Sequence, residues 1–271
     1  MKTRKPAVAF QFYPGEPREL RQLVAGYIDD SGVEPSPEST VAVVAPHAGY
    51  IYSGPTAGFA YARIKGKKPD RVLLLGCSHR FHIPTASVFT EGAFETPLGT
   101  FPVDEAFAAA FAKEAKAASI EPHIHEHSLE VQLPFLWMAL GEVPIVPILF
   151  GGSATDWHVQ MGRRLAEMAG ENDLAVASTD LSHYLTEESA NQIDKHTLDT
   201  VLAKNPAAVV KGLEDDSCSM CGGAAVVAAL SFALARNANK WQLLDYRTSA
   251  ATSGDYGHVV GYGAISMETA A

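Results

Sequence analysis

The sequence predicts an α/β protein, a central mixed sheet flanked by helices in three layers, and three observations carry that prediction. Short apolar, β-branched runs alternate with longer helical patterns over most of the 271 residues. Three of those runs give way at their carboxyl ends to clusters of polar side chains, where open α/β sheets place their ligand crevices. No internal repeat, low-complexity tract or composition break divides the chain, so residues 1–271 read as one domain.

Taken in order, the first helix is expected at 17–28, followed by a polar, proline-bearing loop over 31–40 that lies too early to separate two domains of useful size. A strand at 41–45 leads to a helix at 55–65, and the runs at 72–75 and 86–90 supply two more strands. In "FETPLGTF" (94–101), Pro-Leu-Gly between aromatic residues predicts a hairpin that adds an antiparallel element to the sheet. Helices at 104–117 and 129–140 precede a strand at 145–150, and a helix at 155–168 precedes one at 174–178. Helical patterns then run over 187–203, 206–213 and 222–236, and strands at 242–246 and 259–266 close the chain.

Composition narrows the function. Apolar residues at 47% and charged residues at 19% describe an ordinary globular protein. With 31 acidic against 21 basic side chains, a formal charge of -10 and no basic block beyond the short 65–68 turn, nucleic acid is excluded as the expected partner. Three cysteines build no disulfide framework, and their odd count suits a reducing compartment. No apolar run approaches the roughly 20 residues that span a bilayer, and the N-terminus lacks the apolar core of a signal peptide. The expectation is a soluble cytoplasmic protein, off the membrane, that handles a small molecule.

The polar clusters carry the chemistry. The strand at 41–45 leads to His47, "RVLLLG" leads to Cys77, Ser78 and His79, and "LAVAST" leads to Asp180, Ser182 and His183. One histidine after a strand is commonly structural, whereas three strands ending this way point to a shared site, and two imidazoles on rigid strands suit a divalent transition metal. Cys221 stands with two glycines just before a strongly apolar helix, where the positive end of the helix dipole favours a thiolate, either ligand or nucleophile; a small buried hydrophobe is the plainer alternative. In "HIHEHSLEVQLPF" (123–135) a polar loop accounts for His123 and His125, while His127 and Glu130 are expected to line a pocket. The loop of small residues within 246–266, with Asp255 and His258, is a candidate wall.

Assembled in order, "FYPGEPRELRQLV", "APHAGYIYSG", "LLLGCSH", "EHSLEVQLPF", "STDLSH", "CGG" and the "YRTSAATSGD…VGYGA" ending resemble the Memo family, also known as component B of the AmmeMemoRadiSam system, over nearly the whole chain. The resemblance implies an α/β sandwich similar to class III extradiol ring-cleaving dioxygenases, which hold non-haem Fe(II) with two histidines and a carboxylate. Carried over by motif, it implies His47 and His79 as metal ligands and Cys221 as the third, where the dioxygenases have Glu. Asp180 and His183 match the stretch beside the metal, with His183 the implied acid/base. Tyr50 and Tyr52 join His127 and Glu130 as substrate-side groups. A thiolate in place of a carboxylate moves the metal preference towards copper or zinc as well as iron. Three functions follow: oxidoreductase chemistry on Fe(II), or copper, with a small chelating substrate; metal holding for radical SAM and AMMECR-type partner proteins; and zinc-type hydrolysis.

Overall fold

Continuous apolar runs bury both faces of a strand. Four such runs, Thr40–Ala45, Val72–Cys77, Ile145–Phe150 and Leu174–Ser178, form the parallel core of the sheet in the computed structural model, which describes residues 3–117 and 120–270. In chain order the strands are β1 (Thr3–Arg4), β2 (Thr40–Ala45), β3 (Val72–Cys77), β4 (Ala86–Val88), β5 (Ala93–Thr96), β6 (Gly99–Pro102), β7 (Ile145–Phe150), β8 (Leu174–Ser178), β9 (His183–Leu185), β10 (Lys240–Thr248) and β11 (Val259–Glu268). The helices are α1 (Pro17–Asp30), α2 (Tyr50–Arg63), α3 (Glu105–Glu114), α4 (Leu133–Leu140), α5 (Asp156–Met168), α6 (Glu187–Leu202), α7 (Pro206–Glu214), α8 (Gly223–Ala235) and α9 (Ala250–Ser253).

The main sheet runs β10-β11-β2-β8-β3-β7-β4, with β9 paired to β11. Its centre is parallel, while β11 and β4 close the two sides antiparallel, so the sheet is mixed. Helices flank it in layers. α8 packs on β2, β8, β3 and β7 beneath α5 and α7, which is why its sequence is apolar on every side. α2 packs on β2, β10 and β11 with α1 and α4 against it. No helix among the described residues is long and apolar enough to cross a membrane.

Two expectations are corrected. The hairpin around 94–101 forms as β5–β6, but it joins β1 in a separate three-stranded sheet, because β4 already occupies the edge of the main sheet beside β7. The helix expected from residue 55 begins at Tyr50, which puts Pro55 inside it. Pro55 has no N–H for the Ile51 carbonyl one turn earlier, and Thr252 Oγ1 donates to that oxygen instead at 3.2 Å.

The topology fixes where the polar clusters meet. β2, β8 and β3 are neighbours, Ala45 lies opposite Ser178 and Leu75 opposite Ala177, so the three strands end level with one another. The residues that follow them therefore gather at one rim.

Candidate metal centre

His47 stands two residues beyond β2 and is buried, and its backbone N–H donates to Asp180 Oδ1 at 2.7 Å. Ser178, the last residue of β8, donates its hydroxyl hydrogen to the Ser128 carbonyl at 2.6 Å, so towards His47 Nδ1, 2.9 Å away, its oxygen accepts. That assignment places a proton on Nδ1 and leaves Nε2 as the donor atom facing Cys221 Sγ at 3.1 Å. Gln132 completes the support. Its Nε2 donates to Ser178 Oγ and to the Pro46 carbonyl, and its Oε1 accepts from Tyr61 Oη, so this buried network is satisfied.

His79 is positioned the same way by a different group. Glu126 Oε1 accepts from His79 Nδ1 at 2.9 Å and Oε2 accepts from the His79 backbone N–H at 2.6 Å. Glu126 also accepts from the backbone N–H groups of His127 and Ser128. Burial alone would raise the Glu126 carboxyl, but the hydrogen bonds and charge of His79 together with the backbone N–H groups hold it down at about 2. The carboxylate is an acceptor only, so His79 likewise turns Nε2 towards the cluster, 3.7 Å from Cys77 Sγ.

Two glycines bring the remaining walls in. A Cβ on Gly222 would lie 2.3 Å from the Ser178 carbonyl oxygen; only glycine lets the start of α8 approach the end of β8 and deliver Cys221 there. A Cβ on Gly76 would lie 2.6 Å from Leu129 and 2.8 Å from Ser128 Oγ, so glycine also admits the 128–129 segment against β3, where Ser128 Oγ donates to the Cys77 carbonyl. Cys221 then receives the Asp180 N–H at 3.3 Å.

The electrostatics follow from this crowding. A hydrogen bond from the Cys77 thiol and the positive field of His47 hold the Cys221 thiol well below its ordinary value against the opposing effect of burial, and the same sulfur–sulfur contact pushes Cys77 up. Burial opposes the charge on His47, yet Cys221 and Asp180 outweigh it and push this imidazole up to about 9. His79 rises to about 10, burial being overcome by hydrogen bonds to Cys221 and Glu126. His127, stacked on His79 with ring centroids 4.4 Å apart, falls to about 4 because it is buried beside the charge of His47.

The donor atoms of His47, Cys77, His79 and Cys221 all lie within 4.8 Å of one another, and those of His79, Glu126 and His127 form a second, overlapping group. A cavity of about 360 Å³ opens beside the four, lined among others by Cys77, His79, Arg80, His82, Phe150 and Cys221. The side chain of His79 is 32% exposed. Once a metal displaces their Nε2 protons, the arrangement is two imidazole nitrogens and two sulfurs converging at a solvent-reachable point, a donor set that fits a transition metal.

The other expected residues are placed as follows. Asp180 lies beside His47, and its carboxyl, raised by burial against the pull of His47, also feels the charge of His183 on β9. Glu130 is bound by the Arg4 guanidinium, Tyr13 Oη and the backbone N–H groups of Ala7 and Val8. Tyr50 donates its hydroxyl to the Val131 carbonyl at 2.6 Å, and with the partly exposed Tyr52 it borders a separate cleft beside residues 10–15. His123, expected in an exposed loop, is buried with Nε2 3.1 Å from the Ser87 carbonyl, while Asp255 and His258 are exposed.

Sequence reasoning did not single out Glu126, Ser178 or Gln132, and it did not give Cys77 a ligand's role. The available signal for Glu126 was its place between His125 and His127; the others act through contacts made only in the fold.

The family profile described as "Memo-like protein" matches residues 4–266. A MEMO1 family protein of Desulfurococcus amylolyticus is 36% identical, covering 98% of this chain and 99% of its own length. One from Methanopyrus kandleri is 35% identical over 97% and 98%, and one from Methanosarcina acetivorans 35% over 99% and 100%. The fold is similar to the crystal structure of an uncharacterized protein from Escherichia coli K12, with a TM-score of 0.56 at 15% identity over 84% of this chain and 99% of that one. With a profile match and relatives of this identity along almost its full length, the chain belongs to the Memo family.

Proposed function

We propose that this protein binds a metal through His47, His79 and Cys221 and uses it, as iron or copper, for oxidoreductase chemistry on a small chelating molecule admitted through the cavity beside His79. One observation supports this reading above the rest: Ser178 and Glu126 independently hold the two Nδ1 protons, so His47 Nε2 is turned to the sulfur of Cys221 and His79 Nε2 to that of Cys77, where a metal would take the place of their protons. A metal held there would supply Lewis acidity and one-electron chemistry. The chain's own groups do the rest. Glu126 and Ser178 orient the imidazoles, His127 stays neutral beside them as a proton acceptor, and His183, in the field of Asp180, is a second acid/base group.

The test is anaerobic loading with Fe(II) or Cu, followed by metal analysis and oxygen uptake with a panel of catechol-like chelators. The expected result is one metal per chain, lost in His47→Ala, His79→Ala and Cys221→Ala, and uptake above that of free metal. Absence of binding removes the metal centre. Binding without uptake removes the oxidoreductase and favours a second reading, metal holding for radical SAM and AMMECR-type partners, which the additional sulfur of Cys77 supports.

A further inference from the structure

We propose that Cys77 is a fourth protein ligand, so that the centre is a two-histidine, two-thiolate site selective for a thiophilic tetrahedral ion such as Zn(II) over Fe(II). The proposal rests on the metal-binding part of the reading above, sides with metal holding against the iron or copper oxidoreductase, and goes beyond the three ligands.

Geometry carries it. A tetrahedral ion bonded to nitrogen at about 2.0–2.1 Å and to sulfur at about 2.3 Å holds a nitrogen and a sulfur about 3.5 Å apart. The two nitrogen–sulfur pairs at this rim, His47 Nε2 with Cys221 Sγ at 3.1 Å and His79 Nε2 with Cys77 Sγ at 3.7 Å, bracket that length. All four donors lie within 4.8 Å of one another, so small side-chain rotations close the polyhedron. Cys77 is the last residue of β3, its carbonyl is fixed by Ser128 Oγ, and its side chain lines the same cavity wall as Cys221. Its sulfur lies beside the His79 ring, 3.7 Å from Nε2 and 4.0 Å from Nδ1, so a side-chain rotation brings it and Nε2 to a shared ion.

The nearest carboxylates sharpen the argument. Glu126 is spent on His79 Nδ1 and three backbone N–H groups, and Asp180 Oδ1 on the backbone N–H of His47, so both act as supports and the four-donor cluster contains no oxygen. Two imidazoles with two thiolates are a soft, tetrahedral set, which suits zinc, while Fe(II) oxygenase sites use a carboxylate and keep positions open. Cys77 then decides both which ion enters and whether a position stays free: with its sulfur bound the site is closed, and with serine there the site has three ligands and an open place.

Cobalt(II) reads this directly, because each thiolate adds sulfur-to-metal charge-transfer absorption and the ligand-field bands report tetrahedral geometry. Wild-type protein titrated with Co(II) should show a tetrahedral two-thiolate spectrum. Cys77→Ser should lose about half of the charge-transfer intensity, one thiolate of two, and shift its metal preference from Zn(II) towards Fe(II) in competition. Cys218→Ser, at a buried cysteine outside the cluster, should leave the spectrum intact. X-ray absorption on zinc-loaded wild-type protein counts the sulfur ligands without any variant, so a poorly folding Cys77→Ser does not block the test. A one-sulfur wild-type spectrum, unchanged by Cys77→Ser and abolished by Cys221→Ser, overturns the fourth ligand and leaves the three-ligand centre standing. No uptake of Co(II) or zinc by wild-type protein overturns both.

Discussion

Glu126 and Glu130 lie four residues apart, both fully enclosed, yet they serve different regions of the molecule. Glu126 faces the rim and spends its oxygens on His79 and on the backbone that presents it. Glu130 faces the N-terminal segment and ties down Arg4, Tyr13 and two backbone N–H groups. Each has what a buried carboxylate needs, a cation or an imidazole plus enough N–H donors. The contrast teaches that burial and charge do not mark a functional carboxylate; the identity of its partner does.

The largest expected effect breaks the Glu130 side. Glu130→Ala leaves the buried Arg4 guanidinium without its counter-charge, bonded only to the His123 and Glu126 carbonyls, and should destabilise the protein by about 3–5 kcal/mol in denaturant unfolding, while folded protein keeps its metal affinity. Glu126→Gln should do the reverse. Metal affinity should fall about 10–100-fold, measured by competition with a chromophoric chelator, because glutamine lacks the charge and turns one of the two oxygens that accept from His79 into an N–H donor. Tyr13→Phe deletes one hydrogen bond to Glu130 and should cost about 1 kcal/mol of stability with no change in metal binding.

The comparison is sharpened further through pH. In the metal-free protein His47 and His79 keep their protons up to about 9 and about 10, so a metal entering at neutral pH must displace them. Apparent affinity should therefore rise with pH, by about one to two decades per unit, and level off above those values. Glu126→Gln, which removes one support of the His79 proton, should lower that slope; Glu130→Ala should leave it unchanged.

Much of the fold was legible because the parallel core strands are buried on both faces and read as unbroken apolar runs, so β2, β3, β7 and β8 announce themselves. The start of α2 was hidden by Pro55, which reads as a helix opening; inside the helix it orphans the Ile51 carbonyl, which Thr252, far along the chain, bonds. The two-residue β1 and three-residue β9 are too short for a periodic signal. At the site, His47, His79 and Cys221 follow from strand ends, a helix start and ordered motifs. Ser178 is invisible as a support because it is the last residue of an apolar strand, and its meaning comes from Ser128, His47 and Gln132 closing on it in space. Glu130 pairs with His127 by proximity in sequence, whereas its partner Arg4 lies 126 residues away, beyond any local pattern.

The measurement that tests the central claim most directly is metal stoichiometry by equilibrium dialysis and elemental analysis, with wild-type protein beside His47→Ala and Cys221→Ala. The account predicts one tightly held ion per wild-type chain and loss of that ion from both variants with the fold intact. Wild-type protein that retains no ion, or variants that retain it equally well, would contradict it.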